Sequence, residues 1–424
     1  MNEATLVARS RRLGPAFDLL ANYRDGADFF FERSGLGISA MGAAGGIGAS
    51  GGPGRIARLA ARAEESLKAI RGEEGPPPVA VGAIPFDDRQ PAMLVIPERA
   101  VGRGEDGETW QIDVWAEGLA PADEIREGWT GRAAPHDEFQ EFQLTPEPAP
   151  EAYMAAVDRA RTGIRGGDLR KVVLARSVVV RAGRQLDAKQ LLWRLRAVDP
   201  ECFAFAAPTF ARRGGELLRM GTLVGATPEL LVARTGRHVR CTPLAGSAPR
   251  HGDRADDRAS AELLRASPKE REEHDVVVQA VAETLHPFCL ELEYAPEPEL
   301  LPTANVWHLA TPFRGRLREP APSVLELVAA LHPTPAVCGT PREAARAVIA
   351  ELEPFDRGCY AGPVGWLDAT GDGEWAIALR CAELAGSVAR LFAGAGIVAD
   401  SIPGLELDET EQKFRAFLDS LRWG

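Results

Sequence analysis

Apolar residues recur at helical spacing in several segments of the chain, and other segments are short runs of β-branched residues. The helical spacing predicts helices at 56–70, 152–165, 187–198, 270–285, 341–353 and 407–423. The β-branched and apolar runs predict buried strands at 171–180, 229–234, 374–384 and 388–398. Because the helices and strands are mixed rather than strictly alternating, we expect an α/β protein with a mixed sheet flanked by helices.

Three stretches rich in Pro, Gly or acidic residues interrupt this pattern, at 72–79, 144–151 and 294–302. Such stretches are poor in core-forming side chains and predict surface connections. The second one separates an N-terminal part, residues 1–145, from residues 150–420, which carry nearly all the chemical signals. We expect both parts to belong to one large domain spanning residues 1–424.

Composition and charge narrow the function. The 424 residues are 45% hydrophobic, which gives ample material for a core, and the net charge of −12 argues against nucleic-acid or anionic-membrane partners. No apolar stretch reaches the roughly 18 residues of a membrane span. The six cysteines form no CxxC pair and predict reduced core residues of a cytoplasmic protein. An anionic substrate would need local Arg, Lys or a divalent cation.

The glycine-rich segment 42–54 contains GIGASG, which has the spacing of a dinucleotide-binding turn and precedes a predicted helix. A glycine-saturated segment matches such a pattern easily by chance, and neither a convincing parallel strand nor the ribose-binding acid accompanies it. We therefore interpret the segment as a flexible loop rather than a nucleotide site.

Two pairs of glutamates have the three-residue spacing of one helix face. Glu270 and Glu273 lie in the first turns of a predicted helix, where a capping role and a solvated acidic face are the simpler explanation. Glu406 and Glu409 repeat the spacing, with Lys413 four residues further on, as in a surface ion pair. Because Mg²⁺ prefers oxygen ligands, the pairs could instead converge on one cation, and spacing alone leaves both interpretations open.

Four further positions suit a site for a small anion. Lys171 opens an apolar strand, where burial disfavours the ammonium form as a lysine base requires, although a solvent-reaching lysine is commoner there. Gly394 and Gly396 follow a predicted strand and permit either close approach of a carboxylate to the backbone or a tight turn. Arg380, inside an apolar strand, needs an anionic partner, either a substrate carboxylate or an internal salt bridge.

Two histidines and two missing motifs bear on other chemistries. His308 and His332 lack metal-ligand spacing and are interpreted as hydrogen-bonded core residues. The chain contains neither GxSxG nor HExxH, which disfavours serine hydrolases and zinc proteases.

An ordered series of motifs over roughly residues 150–415 closely resembles the chorismate-utilising enzyme family. The series is KVVLAR, VGATPELLVA, PLAGSAPR, KEREEH, VWHLATPFRG, LHPTPAVCGTP, IAELEPFDRGCYAGPVGW, GDGEWAIALRC, LFAGAGIV and ETEQK. The first 140 residues resemble the variable N-terminal part of the family only loosely. The resemblance implies the anthranilate and aminodeoxychorismate synthase-type α/β fold, in which two large β-sheets pack together with helices outside.

The resemblance also implies a magnesium site and a chorismate site. Family glutamates matching Glu273 and Glu409 bind Mg²⁺, with Glu270 and Glu406 beside them, and substrate carboxylates complete the coordination. The positions that the resemblance assigns to chorismate binding are Arg380, the backbone at Gly394, Lys413, Ala336 and Tyr360.

The same resemblance assigns the catalytic groups. Lys171 matches the general base of the water-using members, whereas ammonia-using anthranilate synthases resemble a version of the strand with glutamine. Ala245 stands where aminodeoxychorismate synthases carry a lysine, which disfavours that branch. Glu229 matches the general acid that protonates the departing 4-hydroxyl while water adds at carbon 2.

The resemblance thus implies an isomerase, an isochorismate synthase. The small apolar residues Ala336 and Val337 resemble those of siderophore-pathway isochorismate synthases, whereas bulkier or polar residues accompany lyase activity in relatives, and a menaquinone pathway stays open. The alternatives are a salicylate synthase, which goes on to eliminate pyruvate, and a catalytically silent chorismate-binding paralogue. Because water is the nucleophile, no glutamine amidotransferase subunit is expected. We expect a monomer.

Overall fold

The computed structural model describes residues 5–14, 18–72, 75–104, 106–119, 142–167, 169–213 and 216–422. Up to residue 119 the elements are β1 (Leu6–Leu13), α1 (Leu19–Asn22), β2 (Phe29–Arg33), β3 (Leu36–Met41), β4 (Gly45–Ala49), α2 (Arg55–Lys68), β5 (Arg71–Gly72), β6 (Val79–Ala83), β7 (Ala92–Ile96), β8 (Arg99–Arg103) and β9 (Thr109–Ala116).

From residue 142 onward the chain forms the elements that carry most of the predicted chemistry. They are β10 (Phe142–Glu147), α3 (Pro150–Arg165), β11 (Lys171–Ala182), α4 (Ala188–Val198), β12 (Phe203–Arg213), β13 (Glu216–Thr227), β14 (Leu230–Thr235), β15 (His238–Thr242), β16 (Leu244–Pro249), α5 (Arg254–Ala266), α6 (Pro268–Leu285), a 3₁₀ turn (His286–Phe288), β17 (Cys289–Tyr294), β18 (Glu299–Pro302), β19 (Val306–Ala310), β20 (Phe313–Leu317), α7 (Val324–Leu331), β21 (Gly339–Thr340), α8 (Arg342–Leu352), β22 (Pro363–Asp368), β23 (Gly373–Ile377), β24 (Cys381–Ala385), β25 (Val388–Ile397) and α9 (Pro403–Arg422).

These strands form two large sheets and a small one. Within the described residues, the larger sheet has thirteen strands in the order β10-β11-β25-β24-β13-β12-β2-β3-β8-β9-β1-β5, with β21 added at β11. The second has nine, in the order β17-β20-β15-β14-β23-β22-β6-β7-β4, and the third is β16-β19-β18. Both large sheets therefore contain strands from before and after residue 145.

The core explains the stacking of the sheets. In β2, Phe29 and Phe31 belong to the main apolar cluster, which also contains residues of the second sheet such as Trp375. Phe30 points the other way, into a second cluster with residues of α4 and α9 such as Leu192 and Phe417. This alternation follows the two-residue period of a strand, so the larger sheet packs on the second sheet with one face and on helices with the other.

The predicted α/β class and the predicted helices are confirmed, but several strand predictions need correction. Residues 374–384, predicted as one strand, form β23 in the second sheet and β24 in the larger one. The stretches 144–151 and 294–302, predicted as connections, contain parts of β10, α3 and β18. These segments pair at sheet edges or at exposed positions, where backbone hydrogen bonds form without an apolar sequence. The predicted connection at 72–79 lies partly outside the described residues.

The glycine-rich segment is not the loop that was predicted throughout. Residues 45–49 form the edge strand β4, which pairs antiparallel with β7. The following carbonyls face arginines of α2, since Arg58 donates to Pro53 O and Ser50 O and Arg62 donates to Gly48 O. The antiparallel pairing of β4 also differs from the parallel strand that leads into a dinucleotide-binding turn. None of the described helices is long and apolar enough to cross a membrane.

Candidate active site

A cavity of about 750 Å³, including its opening to solvent, lies where the two large sheets and the small sheet meet. Its wall is formed by strand, loop and helix residues from distant parts of the sequence: Val173, Pro228, Glu229, Leu244, Ala245, Gly246, Ser247, Glu273, His308, Ala336, Val337, Tyr360, Ala361, Leu379, Arg380, Phe392, Ala393, Gly394, Gly396, Glu409 and Lys413.

Two adjacent crossings of the chain place Glu229 and Arg380 at this cavity. The chain leaves the larger sheet after β13 and enters the second sheet at β14, with Glu229 in the link. It returns from β23 to β24 through a link that ends at Arg380. The crossings bond to the strands beside them, Ile377 N to Glu229 O at 3.1 Å and Ala226 N to Arg380 O at 3.2 Å. The two polar side chains are thus fixed by backbone pairing.

Glu229 is a buried acid with only 3% of its surface exposed. Burial raises its pKa to about 8, although the positive charges of Lys171 and Lys413 and a hydrogen bond from the backbone of Leu244 pull it downward. Desolvation wins because a carboxylate loses far more hydration in an apolar wall than distant ammonium groups return. The carboxyl group is therefore largely protonated near neutral pH.

Arg380 is held by a neutral histidine rather than by a carboxylate. Its Nη2 donates to His308 Nε2 at 3.1 Å, and His308 Nδ1 donates to Gly246 O at 3.3 Å. Burial, together with the charges of Arg380 and Lys413, keeps the pKa of His308 well below its usual value. This contact with a neutral histidine is not the internal salt bridge that was one of the two interpretations of Arg380. The guanidinium charge therefore faces the cavity.

Arg380 has a φ of 47°, a left-handed conformation that costs a non-glycine residue about 1–2 kcal/mol. The residue does not lie inside a strand as predicted, because the backbone turns there from one sheet to the other. Burial lowers the pKa of the guanidinium without a neighbouring carboxylate to oppose it strongly. Strain and desolvation at one position are typical of functional sites.

Lys171 opens β11, as predicted, and is 1% exposed. Its Nζ lies 2.8 Å from Glu273 Oε1, but the ammonium has no well-aligned hydrogen bond with any described group. The side chain lies behind the cavity wall, close enough to influence the charge of Glu229. Lys171 and Glu229 therefore share one buried region of the molecule.

Gly394 and Gly396 lie within β25 rather than after it, which corrects their predicted position. A Cβ atom at Gly396 would lie 2.2 Å from Glu273 Oε1, and one at Gly394 would lie 3.1 Å from the Tyr360 hydroxyl. The two glycines therefore allow neighbouring side chains to approach the strand closely, and they do not form a turn.

Glutamates from α6 and α9 converge beside the cavity. Glu270 is not a reciprocal cap, since its Oε2 accepts a hydrogen bond from Ser247 N at 3.3 Å. Ser247 Oγ donates to Glu409 Oε1 at 2.9 Å, so one serine of β16 links the two helices. The predicted helical ion pair forms between Glu409 and Lys413 but is only partly exposed, and Glu406 is 2% exposed.

The glutamates are packed closely enough to repel one another. Burial and the charges of Glu273 and Glu409 raise the pKa of Glu270. Burial and the charge of Glu409 raise the pKa of Glu406 to about 7. Burial alone would raise the pKa of Glu409 too, but Lys413 lowers it below its ordinary value.

Lysines partly compensate these carboxylates. Lys269 Nζ lies 3.3 Å from Glu406 Oε1 and 3.5 Å from Glu270 Oε1. Lys413 Nζ lies 2.5 Å from Glu409 Oε1 and donates to Gly394 O at 2.8 Å. In the described parts of the chain, no three His, Cys, Asp or Glu side chains are already arranged as a metal-ligand set.

Most of the predicted site residues meet here. Arg380, Gly394, Lys413, Ala336 and Tyr360 line the cavity, with Glu229, Glu273 and Glu409. Three lie just behind the wall: Lys171, Glu270 and Glu406. Sequence reasoning missed the contacts of Ser247 and Lys269, although both stand in quoted motifs, and the contact of His308 with Arg380. His332 is buried as predicted, but neither ring nitrogen has a hydrogen-bond partner among the described groups.

Residues 4–422 match the family described as chorismate binding enzyme. The isochorismate synthase DhbC of Bacillus subtilis strain 168 is 40% identical over 363 residues, which cover 86% of this chain and 85% of that protein. The structure of DhbC from Bacillus anthracis, a candidate 2,3-dihydroxybenzoate-specific isochorismate synthase, has a TM-score of 0.80 and 37% identity, covering 96% of this chain and 99% of its own. Anthranilate synthase component I from Streptococcus pneumoniae TIGR4 shares the fold, with a TM-score of 0.67, 24% identity and 92% coverage of each chain.

Proposed function

Because this chain belongs to the family of chorismate binding enzymes, we propose that it is an isochorismate synthase that adds water at carbon 2 of chorismate and releases the 4-hydroxyl. The observation that carries the proposal is the pairing of a buried protonated acid, Glu229, with a buried amine, Lys171, around one cavity. The similarity to isochorismate synthases over more than four fifths of the chain supports the same conclusion.

Lys171 and Glu229 divide the proton transfers between them. Lys171 acts as the base, which takes a proton from the attacking water as its oxygen bonds to carbon 2. Glu229 gives its proton to the 4-hydroxyl, which leaves as water, so one water enters and one departs. Two separate groups are required because the attack and the departure take place at different ring carbons. The raised pKa of Glu229 supports the role of acid.

The substrate is a dicarboxylate in a protein of net charge −12, so binding needs local positive charge. Arg380 supplies a guanidinium that His308 orients without neutralising. Lys413, whose ammonium bonds to Gly394 O and to Glu409, supplies a second positive charge at the cavity, and Gly394 lines the cavity beside it. Ala336 and Tyr360 would border the ring and the enolpyruvyl group. A neutral imidazole keeps Arg380 fully available to a carboxylate.

We propose that Glu273 and Glu409 bind Mg²⁺, with Glu270 and Glu406 beside them. The residues fit the ion, because all four donors are hard carboxylate oxygens, and a divalent cation would favour the ionised forms of Glu270 and Glu406, whose pKa values are raised by burial first and by neighbouring glutamates second. When bound, Mg²⁺ supplies positive charge that holds a substrate carboxylate. In its absence the lysines compensate these carboxylates only in part.

The product serves a pathway that the site does not specify. The 2,3-dihydroxybenzoate named for the Bacillus anthracis relative supports siderophore synthesis as the destination, in preference to menaquinone.

We propose that the enzyme acts in the cytoplasm, since its six cysteines are free and buried.

The test is product analysis with purified protein, chorismate and Mg²⁺. We expect isochorismate in equilibrium with chorismate, no aminated product when ammonium is added, and no salicylate or pyruvate. Salicylate with pyruvate would assign the lyase alternative, and no turnover despite chorismate binding would assign the silent paralogue.

Variants of the two catalytic groups sharpen this test. Lys171→Ala and Glu229→Ala should each reduce kcat by about 10²–10⁴-fold, the usual contribution of a general base or acid. Circular dichroism checks that both variants fold. Full activity of either variant would contradict the role assigned to that residue.

A further inference from the structure

We propose that Arg357 and Glu353 are positioning residues that hold strand β11 and the loop 334–338 at the spacing that the substrate cavity requires. The inference rests on the proposed function, because it assigns a role in the chorismate cavity to side chains that do not line it.

Strand β11 is unevenly paired along one edge. On one side β25 pairs with it from Val172 to Arg181. On the other side β21 covers only Lys171 and Val172, and β10 begins at Ser177. On this edge Val173 N donates to Cys338 O at 2.8 Å, and within the described structure the backbone from Val173 O to Arg176 has no strand beside it, two residues after the proposed catalytic lysine.

The side chains of Arg357 and Glu353 occupy this gap. Glu353 Oε1 accepts a hydrogen bond from Ala175 N at 2.7 Å, and Arg357 Nη2 donates to Val173 O at 2.8 Å. Arg357 Nε also donates to Glu353 Oε2 at 2.8 Å. The two side chains are only 3% and 4% exposed. Together they give the open edge one donor and one acceptor, as a neighbouring strand would.

Arg357 extends this support to the opposite wall. Its Nη1 donates to Val337 O at 2.9 Å, and its guanidinium lies 4.4 Å from the ring centre of Phe86 and 6.0 Å from that of Tyr360. Val173, Val337 and Tyr360 all line the cavity. One guanidinium therefore contacts lining residues from three separate segments.

The geometry requires arginine rather than any cation. Three nitrogens of the fork serve three different acceptors in fixed directions, whereas a lysine offers one flexible ammonium. Loss of the Arg357 guanidinium would leave the carbonyl groups of Val173 and Val337 without this donor, and the strand and the loop would separate slightly. A small displacement of these cavity walls weakens the contacts that bind the substrate.

The decisive variants are Arg357→Lys and Glu353→Gln, with Arg346→Lys as the matched control. Arg346 lies on α8 and also pairs with an acid, Asp88, but it is not among the residues that line the cavity. We expect Arg357→Lys to raise KM for chorismate roughly tenfold while kcat changes less than about threefold. Glu353→Gln, which keeps an acceptor oxygen, should raise KM less, and Arg346→Lys should leave KM unchanged.

Hydrogen–deuterium exchange gives a readout that is independent of activity. Peptides covering 171–176 and 334–338 should exchange faster in Arg357→Lys and Glu353→Gln than in the native protein or the control. Unchanged KM together with unchanged exchange in Arg357→Lys, or an equal rise of KM in the control, would overturn the proposal. If the native protein neither binds nor converts chorismate, the proposed function fails, while the exchange rates still decide whether the pair positions the two segments.

Discussion

At the scale of single residues, Glu229 shows how burial prepares a group for chemistry. An ordinary glutamate is ionised at neutral pH, but the wall around Glu229 raises its pKa to about 8. Burial thereby keeps a proton on the Glu229 carboxyl group, next to the substrate cavity. Arg380 is prepared similarly. Its backbone is strained, and its side chain bonds to the neutral His308, which does not neutralise the guanidinium charge.

The raised pKa of Glu229 predicts a pH dependence of stability. The folded pKa of about 8 lies above the ordinary 4.5, so the folded state binds the proton more tightly. This contribution is fully present below pH 4.5 and is lost as pH rises toward 8. Relative to Glu229→Gln, the metal-free native protein should lose about 3–5 kcal/mol over that range. Thermal melting of both proteins from pH 4.5 to 8.5 measures the difference, and parallel curves would contradict it.

The same carboxyl predicts the alkaline limb of activity. A general acid must carry its proton, so kcat/KM for chorismate should fall as pH rises through about 8. Initial rates from pH 6.5 to 9.5 at saturating Mg²⁺ measure this limb. A rate that stays level through pH 9.5 would show that Glu229 does not act as the acid.

At the scale of elements, the site depends on the meeting of α6 and α9. Neither helix carries a complete set of carboxylates, and Ser247 of β16 contacts a glutamate of each. The position of α9 is in turn fixed by Arg176 of β11, which is fully buried. Its guanidinium bonds to Thr410 and Glu411 and lies between the rings of Tyr153 and Phe414.

The convergence of the helices predicts how metal binding responds to substitution. Glu273→Gln and Glu409→Gln each remove one charge from the set, so Mg²⁺ should bind at least about tenfold more weakly to either variant. Asp408→Asn, an exposed position on α9, is the matched control and should bind as the native protein does. Calorimetric titration with Mg²⁺ measures binding directly, and equal affinities in all four proteins would exclude the proposed site.

The clamp at Arg176 predicts a structural effect. Arg176→Met removes the hydrogen bonds to α9 and both ring contacts, and should destabilise the protein by about 2–3 kcal/mol. Arg181→Met, an exposed arginine on the same strand, should change stability by less than about 0.5 kcal/mol. Denaturant unfolding of the two variants makes the comparison. Equal stabilities would show that α9 is held by its apolar face alone.

At the scale of the whole molecule, the cavity lies where two sheets exchange strands. The links at Glu229 and Arg380 cross side by side, so one polar residue from each direction reaches the same space. The N-terminal strands extend both sheets but contribute none of the described lining residues. Their role in the fold is to complete the sheets against which the catalytic part packs.

We expect an enzyme that is active as a monomer. Light scattering coupled to gel filtration should give a mass near 45.5 kDa, and specific activity should not depend on protein concentration. A dimer whose activity falls on dilution would contradict this expectation.

The sequence by itself predicted six of the nine described helices, the strands β11, β14 and β25 and the family, and the family resemblance named the charged residues that line the cavity. These features are local: apolar period, capping residues and short motifs depend on neighbours a few positions away. The division of residues 374–384 between two sheets escaped this reasoning, since an apolar run looks the same whether it stays in one sheet or crosses to another.

Only the tertiary structure decided which interpretation of each polar residue holds. Ser267 caps the backbone of Glu270 and Glu409 pairs with Lys413, as the local patterns predicted, but the Glu270 carboxylate turns to Ser247 and Glu406 is buried, which no local pattern indicates. The raised pKa of Glu229 likewise depends on its burial, and the hydrogen bond from Arg357 to Val173 O joins residues 184 positions apart. Desolvation and charge interactions act through space over a few ångströms, and that proximity is created by the fold, not by the order of residues along the chain.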